Sequence, residues 1–245
     1  MTASTIWQRV EFGSYAADLP LWSEIADRAD GPILELGAGI GRVALHLAGR
    51  GHELIALERD EALADELESA AERLGVRLTA VRGDLASPEG LSLPVAPALA
   101  IAPLHVIQVL EPRARRRLLG RLRDLLPPGG TLAVTVVDES TVLSADTPAP
   151  RILPDMRELD GWVYSSEPLW VQVSDETLTI RRVRESVSPD GAIDRSIQDE
   201  VLHRVDPGRI EREAEAAGFA AAGRRAIDSG PNEADSIAVL LEVKG

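Results

Sequence analysis

Short apolar segments alternate with amphipathic segments along the first 137 residues of the chain. The apolar segments have the length of buried strands, and the longer segments between them place apolar residues at helical spacing. The predicted strands cover residues 33–36, 53–57, 76–81, 98–102 and 131–137. The predicted helices cover residues 39–49, 60–74 and 112–126. Strands that alternate with helices through short loops favour a parallel sheet with right-handed crossovers.

Residues that favour helix starts and helix ends flank two of the predicted helices. Asp60 is a good N-cap for the second helix, and Gly75 follows its last turn. Pro112 stands in the first turn of the third helix, and the Pro-Pro-Gly-Gly sequence at 127–130 ends it. These signals agree with the boundaries that the apolar spacing predicts.

The pattern changes after Asp138. Residues 140–160 carry several prolines without periodicity and predict a long loop. Three strand-like segments with turn-like links follow, at 163–173, 177–187 and 193–205. We expect them to form an antiparallel β meander, inserted at 140–206 and laid over the active site. A helix and two strands joined by a loop with Gly230 and Pro231 come next, at 207–218, 219–228 and 236–243.

The length of the chain predicts one domain over 1–245. Residues 1–30 contain Trp7, Phe12, Tyr15 and Trp22, although aromatic residues make up only 3% of the chain. This concentration predicts one or two short helices packed on the main domain.

Composition and charge narrow the range of functions. Without cysteine the chain forms no disulfide, thiolate metal site or cysteine nucleophile. A net charge of −14 repels phosphate backbones, so nucleic acid is a disfavoured partner. The arginines of the 112–126 helix are interpreted as a solvated helix face. The N-terminus lacks a signal-peptide core and no apolar run has the length of a membrane span, so we expect a cytoplasmic protein without membrane contact.

The most informative segment runs from Ile33 to Arg42, where a buried strand leads into three glycines and then a helix. Gly37, Gly39 and Gly41 permit a tight turn and close approach of a ligand to the backbone. Amides exposed at the start of a helix attract anionic or polar groups. The turn follows a parallel strand, at the sheet edge where doubly wound folds bind ligands. The spacing differs from the Gly-x-Gly-x-x-Gly of dinucleotide folds.

Two acidic residues accompany this turn. Glu35 lies two residues before the first glycine, and Glu58 closes the second predicted strand. A carboxylate at the second position accepts hydrogen bonds from ribose hydroxyls in folds that bind adenosine. Arg42, directly after the glycines, is expected to face solvent.

The string Leu34-Glu-Leu-Gly-Ala-Gly-Ile-Gly41 resembles motif I of the class I S-adenosylmethionine-dependent methyltransferases. Further resemblances to this family follow in family order, over roughly residues 30 to 243. They are Gly83-Asp-Leu85, Ala102-Pro-Leu-His105, Leu126-Pro-Pro-Gly-Gly130 and Ala217-Gly-Phe219. The resemblance implies an α/β fold with a doubly wound, seven-stranded Rossmann-like sheet whose last strand is inserted antiparallel. It also implies S-adenosylmethionine as the cofactor.

The resemblance further implies roles for individual residues. Glu35 is expected near the methionine amino group, Glu58 on the ribose, and Asp84 on the adenine amino group. The N-terminal segment 1–30 is expected to act as a lid, and Tyr15 resembles the tyrosine of such lids. The residues expected to bind the cofactor are Tyr15, Glu35, Gly37, Ala38, Gly39, Gly41, Glu58, Arg59, Asp84, Leu85, Pro103, Leu104 and Gln108.

His105 follows the fourth strand, near the expected position of the transferred methyl group. A neutral imidazole accepts protons near pH 7, so His105 is the candidate general base and acceptor contact, with a structural role as the alternative. Trp7, Trp162 and Tyr164 are candidates to line an acceptor pocket, or they anchor the meander to the sheet. The four histidines lack ligand spacing, so we expect no metal site.

The fourth strand departs from the family pattern. Ala98 stands near a place where an acid is common, and Ala102 and Pro103 are apolar where a polar or acidic group is usual. Methyl transfer tolerates this, because aligning the reacting atoms supplies much of the catalysis. The departure argues against chemistry that relies on that acid.

The leading functional hypothesis is O- or N-methylation of a small molecule by a monomer or homodimer. A methyltransferase acting on protein or nucleic acid is a second hypothesis. A non-catalytic or regulatory S-adenosylmethionine-binding protein is a third. A nicotinamide-dependent oxidoreductase is a further rival, but its glycine spacing would differ and no catalytic Tyr-Lys pair is found.

Overall fold

Five adjacent parallel strands form the larger part of the main sheet in the computed structural model, which describes residues 1–140, 153–229 and 234–245. They are β1 (Ile33–Leu36), β2 (Leu54–Glu58), β3 (Leu78–Arg82), β4 (Leu99–Ala102) and β5 (Thr131–Val137). Each strand lies within two residues of its predicted position. Residues of β1, β2 and β4 are buried throughout, because helices cover both faces of the sheet.

A second, antiparallel sheet is inserted between β5 and the last strands. It comprises β6 (Asp155–Leu159), β7 (Trp162–Val173), β8 (Thr177–Val187) and β9 (Ile193–His203), adjacent in that order. The last three strands match the predicted meander.

The prediction of a loop over 140–160 is wrong for residues 155–159, which form β6. The polar sequence Asp-Met-Arg-Glu-Leu hides the strand, because its faces differ little in hydrophobicity. Asp160 and Gly161 have φ angles of 51° and 79° and join β6 to β7 in a two-residue turn. An Asp-Gly pair with positive φ at both positions is typical of a hairpin turn. Residues 141–152 of the predicted loop, and Gly230 and Pro231 of the later loop, lie outside the described residues.

The chain then returns to the main sheet. Strands β10 (Phe219–Ile227) and β11 (Ser236–Val243) form a hairpin, and β11 pairs antiparallel with β5. The strand order is β10-β11-β5-β4-β1-β2-β3, so the predicted seven-stranded, doubly wound sheet with an antiparallel strand inserted next to β5 is confirmed. The winding reverses between β1 and β4, which places a crevice outside the carboxyl ends of these strands.

Seven α-helices are described. They are α1 (Ala3–Glu11), α2 (Leu19–Ala26), α3 (Arg42–Gly49), α4 (Glu61–Leu74), α5 (Val106–Val109), α6 (Pro112–Leu125) and α7 (Pro207–Ala217). The predicted start of α4 is confirmed, since Asp60 Oδ1 accepts the backbone N–H groups of Ala62 and Leu63 at 2.9 and 3.2 Å. Gly75 ends this helix in the left-handed conformation. α5 was not predicted.

The core consists of one apolar layer on each face of the main sheet. Leu34 and Leu36 of β1 pack on the side of α6 and α7, whereas Ile33 packs on the side of α2, α3 and α4. Because side chains alternate along a strand, Glu35 points to the same side as Ile33. Its carboxyl group therefore lies in an otherwise apolar layer.

Contacts at two places, among others, hold the inserted sheet to the rest of the chain. Leu178 and Leu202 pack against Val137 at the end of β5. Glu11 at the end of α1 accepts hydrogen bonds from Ser166 and Arg184 of the inserted sheet. The inserted sheet therefore lies beside the carboxyl end of β5 and against the N-terminal helix.

Candidate active site

The predicted cofactor residues meet where neighbouring strands end. The backbone N–H of Ala38 donates to Leu57 C=O at 3.0 Å, which joins the ends of β1 and β2. The N–H of Gly83 donates to Glu58 C=O at 3.0 Å, which joins the ends of β2 and β3. The turns after three consecutive strands thus form one continuous edge.

The glycine turn keeps a backbone that other residues rarely adopt. Gly37, Gly39 and Gly41 have φ angles of 65°, 58° and 87°. A β-carbon on Gly37 would come within 3.0 Å of Val106, and one on Gly41 within 2.2 Å of Leu67. The left-handed backbone and these close contacts explain why glycine occupies these positions, and helix α3 begins only at position 42.

The Glu58 carboxylate, at the end of β2, binds the glycine turn after β1 and the turn after β2. Its Oε2 accepts the N–H of Gly39 at 2.8 Å, and its Oε1 accepts the N–H groups of Arg59 and Asp60 at 2.8 and 2.9 Å. The carboxylate is buried and fixed in orientation. Each carboxylate oxygen accepts two hydrogen bonds, so Oε2 keeps capacity for a ligand hydroxyl.

Glu35 is the unusual group of the site. It is 3% exposed, and its Oε2 has no hydrogen-bond partner among the residues that the structure describes. Burial raises the pKa of this carboxyl to about 8, against the opposing effect of the Arg42 positive charge. A buried carboxylate with an unpaired oxygen fits a cationic ligand group, such as the amino group of the methionine part of the cofactor.

The prediction that Arg42 faces solvent is wrong. Its guanidinium forms two hydrogen bonds with Asp18, of 2.6 and 2.7 Å, and donates a third to the Tyr15 carbonyl at 3.1 Å. Asp18 also accepts the indole N–H of Trp22 at 2.8 Å. The sequence signal was weak, because the partner carboxylate lies 24 residues away in another element.

The N-terminal segment reaches the glycine turn at two points. A β-carbon on Gly39 would lie 2.8 Å from Gln8 Oε1, so the side chain of Gln8 rests on this glycine. The Tyr15 ring lies 5.0 Å from the Arg42 guanidinium, and its hydroxyl is 2.9 Å from Ser229 Oγ. Gln8 is a candidate cofactor contact that the sequence did not suggest.

The predicted adenine-binding residues lie at the outer side of this edge. Asp84 is exposed, and its Oδ1 accepts the N–H of Ala86 at 2.9 Å. Leu85 is half-buried against the core, and Arg59 is exposed. An exposed acid can accept a hydrogen bond from the polar edge of a nucleobase, and an adjacent apolar side chain can pack against its flat face.

A strained turn follows β4. Leu104 and His105 both have positive φ, of 48° and 60°. Such angles cost energy in residues other than glycine and cluster at functional sites. Pro103 stands at the start of this turn, and its contact with the cofactor stays a prediction.

His105 is half-buried and is held by two hydrogen bonds. Its Nε2 lies 2.7 Å from Ser236 Oγ, and its backbone N–H donates to Thr135 Oγ1 at 3.1 Å. Burial lowers its pKa to about 4, so the imidazole is neutral near pH 7. Gln108 is buried, and its Oε1 accepts the N–H of Val137 at 2.8 Å. This contact ties the turn to β5 and occupies the side-chain oxygen of a residue that was predicted to bind the cofactor.

The three candidate acceptor residues come together. The rings of Trp7 and Tyr164 meet edge to face at 5.7 Å, and those of Trp162 and Tyr164 stack at 6.2 Å. Arg184 lies 5.1 Å above the Trp7 ring and binds Glu11 with two hydrogen bonds of 2.7 Å. The aromatic cluster of Trp7, Trp162 and Tyr164 therefore joins α1 to the inserted sheet.

A groove lies at the other edge of the main sheet. Its volume is about 520 Å³, and it is lined by Leu99 and Thr131 at the amino ends of β4 and β5 and by Arg225 of β10, among others. None of the predicted site residues lines it. Doubly wound sheets bind ligands at the carboxyl edge, so the turns after β1 to β4 remain the candidate site.

Two further expectations concern metals and membranes. Over 1–140, 153–229 and 234–245, no three histidine or acidic side chains gather as ligands for a metal ion. No helix in the same ranges combines the length and the apolar character needed to span a bilayer.

Comparisons with known proteins agree with this architecture. A family described as a methyltransferase domain matches residues 33–130. Carboxy-S-adenosyl-L-methionine synthase of Pseudomonas syringae is 32% identical over 113 residues, which cover 42% of this chain and 44% of that protein. Ribosomal RNA small subunit methyltransferase A of Anaeromyxobacter dehalogenans is 43% identical over 61 residues, which cover 25% of this chain and 20% of that protein. The chain thus spans less than half the length of these curated relatives.

A solved structure shares the whole fold. The sugar N-methyltransferase KedS8 from Streptoalloteichus has a TM-score of 0.77 and 13% sequence identity, covering 100% of this chain and 94% of that chain. At this identity the likeness shows the fold alone.

The doubly wound sheet, the glycine turn after β1 and the acids after β2 and β3 define an α/β protein that binds a nucleoside-containing ligand. The methyltransferase-domain match over residues 33–130 and the fold shared with solved S-adenosylmethionine-dependent methyltransferases support a class I S-adenosylmethionine-dependent methyltransferase. The expected family and cofactor are thereby confirmed.

Proposed function

We propose that this protein transfers the methyl group of S-adenosylmethionine to an oxygen or nitrogen atom of a small molecule. The observation that carries the proposal is the unpaired Oε2 of Glu35, which is buried beside the glycine turn. Burial keeps this carboxyl group protonated near pH 7 in the cofactor-free protein, and the positively charged amino group of the cofactor would supply the partner with which it can ionise.

The proposed placement of the cofactor follows the strand ends. Glu35 and the glycine turn would hold the methionine part, Glu58 the ribose, and Asp84 with Leu85 the adenine. The other predicted contacts line the same edge and belong to the same proposal. They are Tyr15, Gly37, Ala38, Gly39, Gly41, Arg59, Pro103, Leu104 and Gln108.

When bound, S-adenosylmethionine supplies a methyl group that its sulfonium already activates. The protein then has to hold the acceptor atom in line with that group and exclude water, which supplies most of the catalysis. We assign His105 as the group that takes the proton released by an O–H or N–H acceptor. Because burial lowers its pKa, the His105 imidazole is neutral near pH 7 and has a nitrogen lone pair that can accept this proton.

The aromatic cluster supports a small, compact acceptor. Trp7, Trp162 and Tyr164 lie between α1 and the inserted sheet, where flat rings offer apolar faces to a ring-shaped molecule. The solved structure with the same fold is a sugar N-methyltransferase, which supports an acceptor of that size. We include a single domain over 1–245, a lid at 1–30 and a cytoplasmic location in this proposal.

Two observations favour alternative functions, and the experiments below also test these alternatives. The partial similarity to a ribosomal RNA methyltransferase favours RNA as a second acceptor class. The apolar pair Ala102 and Pro103 after β4 is compatible with a site that binds cofactor without turnover. A net charge of −14 argues against RNA.

Calorimetric titration with S-adenosylmethionine, S-adenosylhomocysteine and NAD tests the binding step. We expect binding of the first two and none of NAD. Glu35→Gln keeps the shape but removes the charge, and we expect it to weaken S-adenosylmethionine binding 10-fold or more. Equal affinity in both proteins would overturn the assignment of Glu35.

Turnover is tested by release of S-adenosylhomocysteine with hydroxylated and aminated metabolites, amino sugars among them, and with a ribosomal RNA fragment in a separate arm. Release with a small molecule supports the proposal. Release with RNA alone would replace the acceptor class, and binding without any release would favour the regulatory candidate. Light scattering distinguishes monomer from homodimer.

A further inference from the structure

Three hydrogen bonds fix the turn that carries His105. Thr135 Oγ1 donates to the Ala102 carbonyl at 3.3 Å and accepts the His105 N–H at 3.1 Å. The Gln108 N–H donates to the His105 carbonyl at 2.7 Å. Thr135 is 2% exposed, so solvent does not replace its bonds. The turn is therefore held from β5, in a backbone conformation that it would rarely adopt alone.

A fourth bond fixes the ring itself. Ser236, the first residue of β11, places its Oγ 2.7 Å from His105 Nε2 and is 5% exposed. Among the described residues, no hydrogen bond joins His105 Nδ1 to another group. This atom is also not among the fully buried polar atoms that lack a partner, so a ligand or water can reach it. One ring nitrogen is thus tied to β11, and the other is left for a ligand or water.

The bond to Ser236 decides which ring nitrogen carries the proton. In a neutral imidazole one nitrogen is a donor and the other an acceptor. If Nε2 donates to Ser236 Oγ, the lone pair of Nδ1 is free to accept a proton. The role of base proposed for His105 requires this first arrangement, because in the reverse one Nδ1 already carries a proton and cannot accept another.

We propose that Ser236 and Thr135 are positioning residues for methyl transfer: Ser236 accepts the Nε2–H of His105 and thereby presents Nδ1 as the proton acceptor, while Thr135 fixes the turn. This inference rests on the proposed function, because it gives His105 the role of base. Neither Ser236 nor Thr135 touches the reacting atoms. The proton moves from the acceptor atom to Nδ1, and the ring becomes an imidazolium whose Nε2–H stays bonded to Ser236.

Long-range ¹H–¹⁵N spectra of the S-adenosylhomocysteine complex test the tautomer near pH 7. The chain has four histidines, and His105→Gln identifies the signals of His105 by their loss. We expect Nε2 to be protonated and Nδ1 to be unprotonated. A proton on Nδ1 in the unsubstituted protein would overturn the proposal, whatever the substituted variants do.

Matched variants separate positioning from mere folding. We expect Ser236→Ala to shift the tautomer population towards Nδ1–H and Ser236→Thr, which keeps the hydroxyl, to restore the original tautomer. Hydrogen exchange at the His105 amide is expected to rise 10-fold or more in Thr135→Val and to stay low in Thr135→Ser. An unchanged tautomer in Ser236→Ala, or unchanged exchange in Thr135→Val, would overturn the corresponding half of the proposal.

Cofactor titration of the unsubstituted protein keeps the two proposals distinguishable. If S-adenosylhomocysteine does not bind, the proposed function fails, and the spectra of the ligand-free protein then decide the tautomer. If it binds and Nδ1 carries the proton, only the positioning roles fail.

Discussion

Arg42 and Asp18 form a two-point ion pair across the boundary between the N-terminal segment and the helix that follows the glycine turn. Both bonds are short, at 2.6 and 2.7 Å, and the two side chains are 11% and 2% exposed. Asp18 precedes α2, and Arg42 opens α3. The pair therefore ties residues proposed to cover the cofactor to residues proposed to bind it.

Removing one partner of this pair leaves the other charge buried. We expect Arg42→Ala to lower the free energy of unfolding by about 3–5 kcal/mol, the usual cost of an uncompensated buried charge. Urea denaturation measures this change. The exposed pair of Arg50 and Asp27 is the control, and Arg50→Ala should cost under about 1 kcal/mol. Similar losses in both variants would contradict the structural role given to Arg42.

Glu35 predicts an unusual dependence of stability on pH in the cofactor-free protein. Its folded-state pKa of about 8 lies above the model-compound value of 4.5, so the folded protein holds this proton more tightly than the unfolded chain. The stabilising contribution is complete below about pH 4.5 and is lost as the pH rises through 8. The loss is on the order of 5 kcal/mol over this interval.

Glu35→Gln supplies the measurement for this group. The glutamine stays neutral, so the free energy of unfolding of the variant should rise relative to that of the unsubstituted protein as the pH increases from 5 to 9. Urea titrations at several pH values give both curves. Parallel curves would mean that Glu35 is ionised in the folded protein throughout this range.

Glu58 predicts a loss of ligand binding together with a loss of stability, because three backbone N–H groups also lose their acceptor in Glu58→Ala. Glu58→Ala removes the proposed ribose acceptor and should weaken cofactor binding by roughly 1.5–3 kcal/mol, the range for hydrogen bonds to charged groups. Isothermal titration with S-adenosylhomocysteine measures the difference. Glu61→Ala, at an exposed position three residues later, should leave the affinity unchanged. Unaltered affinity in Glu58→Ala would remove the ribose contact from the proposal.

Two arginines of β8 offer a matched test of how the inserted sheet holds α1. Arg184 binds Glu11 with two hydrogen bonds and covers Trp7, whereas Arg181 binds Asp199 with two hydrogen bonds and covers Trp170. Glu11 is buried and Asp199 is exposed. The two pairs differ mainly in burial and in what they join.

We expect Arg184→Gln to raise hydrogen exchange throughout α1 and to cost about 3–5 kcal/mol of unfolding free energy. Arg181→Gln should leave hydrogen exchange in α1 unchanged and should cost no more than about 1 kcal/mol of unfolding free energy. Mass-spectrometric hydrogen exchange over residues 3–11 gives the local result. Equal protection of α1 in the two variants would show that the buried pair does not hold the helix.

The parts of the fold that depend on local patterns could be predicted from the sequence. Apolar runs predicted β1 to β5, and the glycine spacing predicted the binding turn, because buried strands and positive φ angles restrict residue choice directly. β6 was missed since its residues are mostly polar, although the Asp160–Gly161 pair that precedes β7 was an available signal.

Contacts between distant residues could not be predicted in this way. Ser236 lies 131 residues from His105, and Arg184 lies 173 residues from Glu11. Neither pair leaves a pattern in its own segment, since a single serine or arginine on a strand is compatible with many surroundings. The same reason explains why Arg42 was placed in solvent: its partner is defined by how α2 packs, not by the residues around position 42.

The position of Gln8 bears on kinetics. Its amide oxygen rests where a side chain on Gly39 would begin, so a molecule arriving at the glycine turn competes with α1 for that space. Such a molecule has to displace the Gln8 side chain, so we expect its rate of binding to depend on a conformational step as well as on diffusion.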